Sequence, residues 1–146
     1  MVTVGLCLIA CAHLSPDEYN LLLDHNGNLD LGILWSMRQI QQEALNKAAE
    51  LFPGITLWND RGDAFRHAYW NALMTKDFGG DFAIAFSTAH ETQFSLQPNL
   101  GEAFMDLHNN SIGVEIAVSS PKASNEQLQT LVMVALNYGI KGDILE

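Results

Sequence analysis

Between Ser15 and Tyr138, strong start and stop signals cut the chain into segments whose apolar residues recur at helical spacing. Ser15-Pro16-Asp17-Glu18 opens the first: Ser15 caps, Pro16 suits the first turn, and Glu18 closes a capping box. This helix is expected to reach about His25, where Asn26-Gly27-Asn28 interrupts it. A second is expected over about Leu31 to Phe52, with Ile33, Leu34, Met37, Ile40, Leu45, Ala48 and Leu51 as its apolar stripe and Pro53-Gly54 as its stop. Asn59 or Asp60 opens a third, about Gly62 to Phe78, closed by Gly79-Gly80. Asp81 starts a fourth, to about Glu91 or Phe94. A loop around Pro98-Asn99 precedes a fifth, about Glu102 to Val118. Ser124-Asn125-Glu126-Gln127 spells another capping box and starts a sixth, to about Tyr138, with Gly139 placed for a left-handed cap. No hairpin turn separates two alternating runs. The expected fold is all-α, a single compact domain of five to six helices over residues 11–146.

Composition narrows the function classes. At 146 residues the chain suits one domain, since about 100–200 residues per domain is usual. Apolar residues make up 48% and charged residues 16%, so a core can form and disorder is excluded. No run reaches the roughly 18 apolar residues of a membrane-spanning helix. Seventeen acids face seven scattered bases, for a net charge of −10, so no basic stripe exists to bind nucleic acid.

Residues 1–10 carry no charge, and Leu8-Ile9-Ala10-Cys11 matches a lipobox. A short apolar leader directs export, and acyl chains on Cys11 then hold the protein to a bilayer. The expectation is therefore a lipid anchor at Cys11 and a place in the bacterial cell envelope, although no Lys or Arg precedes the apolar run. A buried N-terminal element is the plainer alternative. Cys7 and Cys11 are the only cysteines. The body thus holds no disulfide framework, cysteine-zinc site or cysteine nucleophile.

Five histidines occur, and three have a carboxylate for company on consecutive helices. Asp63 and His67 stand four apart on one helix face. His90-Glu91 ends the next helix, and Asp106-Leu-His108-Asn109-Asn110 lies near the start of the one after. Asp106, Asn109, Asn110 and Gly113 share a face by 3/4 spacing. Two asparagines inside a helix are poor helix formers, so they point to side-chain work, and Gly113 points to close approach by another group. Each residue also has a structural reading: Asp63 as a dipole partner, His67 as a bonded core histidine, Arg66 in a surface ion pair, Trp58, Tyr69 and Trp70 as core.

Together they fit two chemistries. In one, Asp63, His67, His90 and Asp106 supply ligands to a divalent metal, zinc first, leaving a position for water, while Glu91, His108 and Arg66 serve catalysis. In the other, no metal is present and a histidine oriented by an aspartate is the general base. Asn109, Asn110 and Trp70 are the candidate substrate-binding residues. No His-Glu-x-x-His or Gly-x-Ser-x-Gly occurs.

Asp63-Ala-Phe-Arg-His-Ala-Tyr-Trp-Asn-Ala72, Ala89-His-Glu91 and Met105-Asp-Leu-His-Asn-Asn-Ser-Ile-Gly113 resemble a bacterial domain family of unknown function, seen in exported and polymorphic-toxin-like proteins. The resemblance spans residues 59–118. It implies roles for Arg66, His67, Trp70, His90, Glu91, Asp106, Asn109, Asn110 and Gly113, and does not require His108. Val114 stands where some relatives carry an arginine. The expected function is an envelope lipoprotein hydrolase acting on a small-molecule, phospholipid or cell-wall substrate. The alternative is a binding lipoprotein, with or without a protein partner, whose His/Asp/Asn cluster is a structural polar network.

Overall fold

The computed structural model describes residues 14–54, 60–92 and 100–138. The expected leader over residues 1–10, Cys11, Trp58, Asn59 and Gly139 lie outside them. Among the described residues the fold is all-α: α1 (Pro16–Leu21), α2 (Leu31–Leu51), α3 (Arg61–Phe78), α4 (Gly80–Thr92), α5 (Leu100–Ser119) and α6 (Asn125–Tyr138). None of these helices is long and apolar enough to cross a membrane.

Local chemistry explains most boundaries. Ser15 Oγ accepts from Glu18 N at 3.1 Å while Glu18 Oε2 accepts from Ser15 N at 2.7 Å, closing the expected capping box. Ser124 and Gln127 repeat the device at α6, at 3.2 and 2.8 Å. Asp30 and Asp60 cap α2 and α3 through Ile33 N and Asp63 N.

The first helix is shorter than expected, ending at Leu21 instead of near His25. Asp24 Oδ1 accepts from the backbone N–H groups of Asn26 and Asn28, and Gly27 takes φ +78°. The side chain thereby offers the backbone a turn in place of another helical one. The α2 stripe also differs. Leu34, Met37, Ile40, Ala44 and Ala48 are buried, whereas Leu45 is exposed. Leu45 lies one residue, about 100°, round the helix from Ala44, off the face that meets α3.

Helix α3 is buried over almost its whole length, from Gly62 to Thr75 apart from Arg66. It packs against α2, α4, α5 and α6, so it is the axis of the domain. Phe65, Tyr69, Leu73 and Met74 fill the centre with Leu22, Leu128 and Val132. The Tyr69 hydroxyl donates to Glu43 on α2, and Lys76 Nζ donates to Asn125 Oδ1 on α6. A helix enclosed on all sides normally carries apolar residues throughout. This one also buries Asp63, His67 and Asn71 at intervals of four.

Candidate functional site

Asp63, His67 and Asn71 form a polar row on α3, and α5 meets that row with Asp106 and Asn110. Gly113, one turn on from Asn110, permits the meeting. A Cβ built on Gly113 would lie 1.9 Å from the Ala68 carbonyl oxygen, so backbone touches backbone where the helices cross. Side chains of α5 then reach the α3 row directly.

The two nitrogens of the His67 ring face different surroundings. Nδ1 lies 3.1 Å from Asn110 Oδ1 and 3.5 Å from Glu91 Oε1. Asn71 Nδ2 also donates to Asn110 Oδ1, at 2.8 Å, and Asn110 Nδ2 donates to Glu91 Oε1 at 3.3 Å. On the other side, Nε2 lies 3.6 Å from Asp63 Oδ1, 3.5 Å from Asp106 Oδ1 and 3.0 Å from Arg66 Nη2. The guanidinium can only donate and the Asn110 carbonyl oxygen can only accept. These partners assign the proton to Nδ1 and leave the Nε2 lone pair toward the aspartates.

Burial, then the Arg66 guanidinium, push the His67 pKa down to about 4, so the ring is neutral near pH 7. Burial pushes the Glu91 carboxyl up from its ordinary value. Arg66 contacts Asp63 Oδ1 through Nη2 at 2.6 Å and Nε at 3.2 Å, and its side chain stays 28% exposed. Asp106 is 17% exposed. The cluster therefore opens to solvent at Arg66 and Asp106 and is closed behind His67.

Ligand atoms of Asp63, His67 and Asp106 lie within 4.8 Å of one another, a set able to hold a metal ion. His90, expected among the ligands, does not join this set. Its Nδ1 lies 2.7 Å from Glu18 Oε1, and its ring packs edge-on against Trp70 at 5.3 Å. Glu18 is buried beneath that contact. Burial alone would raise its pKa, but hydrogen bonds from His90 and Ser15 prevail and hold it below the ordinary value. His90 thus fastens α1 to α4.

The remaining candidates scatter. Glu91 reaches the cluster, on the Nδ1 side of His67. Asn110 is buried with its amide engaged by His67, Asn71 and Glu91, and Asn109 is wholly buried. Trp70 is buried against Phe86 and His90. His108 is two residues from both Asp106 and Asn110, about 200° round α5, so it lies on another face. Its Nε2 has no hydrogen-bond partner among the described residues. Asn71 and Glu18 escaped the sequence reading. The spacing Asp63, His67, Asn71 was a signal for the former, whereas Glu18 was already explained as a cap.

No solved structure matches this chain. Residues 31–140 match the model of a domain of unknown function (DUF6973), a span that holds the whole His67 cluster, and the chain belongs to that family.

Proposed function

We propose that this protein is a bacterial envelope hydrolase that uses a divalent metal ion, zinc first, held by Asp63, His67 and Asp106. The observation that carries the reading is the pair of environments around His67. Nε2 faces two aspartates, while Nδ1 is anchored on Asn110 with Glu91 beyond it. A metal-binding histidine typically has its second nitrogen fixed in this way. One imidazole and two carboxylates suit zinc, and three protein ligands leave room for water. A bound ion would supply Lewis acidity and bring the pKa of water to about 7. Asp63, His67 and Asp106 would orient it, and Glu91, on the far side of the ring, would position His67 rather than move protons at the reacting centre. The metal-free alternative is weaker, because a base with a pKa near 4 is poorly matched to neutral pH.

The Leu8-Ile9-Ala10-Cys11 lipobox supports a lipid anchor and an envelope substrate, a phospholipid or a cell-wall fragment. The acidic balance of the chain speaks against a nucleic-acid substrate.

One observation favours a second reading. Arg66 Nη2 already bridges Asp63 and His67 within α3, and His67 and Asn71 both bond Asn110 of α5, so the same side chains would serve as a buried polar network that fixes α3 against α5. Elemental mass spectrometry separates the two. The protein would be purified without a histidine tag, beginning at Cys11→Ser, beside His67→Ala. Near-stoichiometric zinc, lost in the variant, is the expected result. No metal after reconstitution, with the variant merely less stable, would overturn the hydrolase reading in favour of the network.

A further inference from the structure

Arg66 stands where a metal bound to this cluster would need to be. Its Nη2 is 2.6 Å from Asp63 Oδ1 and 3.0 Å from His67 Nε2, on two of the three residues that would hold the ion. Two cations cannot share that space, since they would repel within a few ångströms and compete for the same lone pairs. Arg66 can leave, because its side chain is 28% exposed while Asp63 and His67 are buried.

We infer that Arg66 is the exchange partner of the metal: the ion displaces its guanidinium from Asp63 and His67, and the freed guanidinium binds the oxyanion of the substrate. The inference rests on the metal reading above and deepens it. Without metal, Arg66 neutralises Asp63 and fills the solvent-facing side of the cluster. With metal, the site carboxylates are occupied by the ion. The guanidinium then sits at the solvent side, tethered one residue from His67, where its planar fork matches a phosphate or carboxylate. The substrate class is therefore an anionic ester or amide with an oxyanion close to the bond that breaks.

The test uses zinc alone and then inorganic phosphate, by calorimetry, on the native protein and on Arg66→Gln. Losing a charge-assisted competitor is expected to tighten zinc binding at least about tenfold. Zinc-loaded Arg66→Gln is expected to bind inorganic phosphate about tenfold more weakly than the zinc-loaded native protein. Equal zinc affinities would overturn the exchange and leave the metal centre standing, and equal phosphate affinities would overturn the oxyanion role. Failure of both proteins to bind zinc would overturn the metal reading and this inference with it. Should Arg66→Gln not fold, Arg66→Lys carries the same comparison. It keeps the charge but loses the two-nitrogen grip, so zinc binding should still tighten and phosphate binding still weaken, each by a smaller factor.

Discussion

Gly113 and Ala68 touch through their backbones: a Cβ on the glycine would fall 1.9 Å from the alanine carbonyl oxygen and 2.8 Å from its carbonyl carbon. No rotamer change relieves such an overlap, so α3 and α5 must separate if any side chain is added. Gly113→Ala is expected to cost about 3 kcal/mol or more, above the usual range for overpacking because backbone has to move. Gly80→Ala is the control. Its Cβ would meet side-chain methyl groups alone, of Val118 and Val114 at 3.3 and 3.4 Å and of Thr75 at 4.0 Å, contacts that a shift of a few tenths of an ångström relieves, and its effect should stay within about 1 kcal/mol. Urea denaturation of both variants measures the contrast.

Asn110 serves three partners from one amide, accepting from His67 and Asn71 and donating to Glu91. Asn110→Ala leaves buried donors without an acceptor and opens a small void. A loss of about 2–4 kcal/mol is expected, read from thermal or urea unfolding. A variant as stable as the native protein would mean that water replaces the amide and that the network adds little.

Acid should loosen α1. The pKa of Glu18 is lower in the folded protein than its ordinary value of 4.5, chiefly because bonds from His90 and Ser15 outweigh the effect of burial. A carboxyl of this kind contributes stability that is full above 4.5 and lost as pH falls through its lower folded value. Stability measured from pH 7 to pH 3 should therefore show Glu18→Gln weaker than the native protein above pH 4.5. The gap should shrink below it. A gap that stays constant with pH would show that the Glu18–His90 contact acts by shape and not by charge.

Glu91 lies behind His67, so Glu91→Gln should separate positioning from stability. The buried carboxyl is pushed toward its neutral form, and a neutral amide of the same size relieves that cost. Unfolding stability should hold or rise. Zinc affinity, measured by competition with a chelator, should fall about 10–100-fold if the metal reading is right, the usual consequence of losing an outer partner. An unchanged affinity would place Glu91 outside the metal's influence.

Sequence alone determined the helices and the pairing of residues along each face, because capping and helical spacing are local. Ser15 with Glu18, Ser124 with Gln127, and Asp60 each close a helix end through atoms three residues apart. The row of Asp63 and His67, and that of Asp106, Asn110 and Gly113, follow from 3.6 residues per turn. Gly113 even announced a close contact, though not its partner. Local rules fail where the answer depends on a crossing. Asp24 ended α1 early by a turn that competes with the helix on nearly equal terms. His90 and His67 both stand near carboxylates in the sequence, yet one turns to Glu18, 72 residues away, and the other to Asn110, 43 residues away. Tertiary packing alone decided which histidine meets Asp106 as well as a carboxylate of its own helix. Side-chain reach is only a few ångströms, and the distance between helix axes, set here by Gly113 against Ala68, decides which groups fall within it.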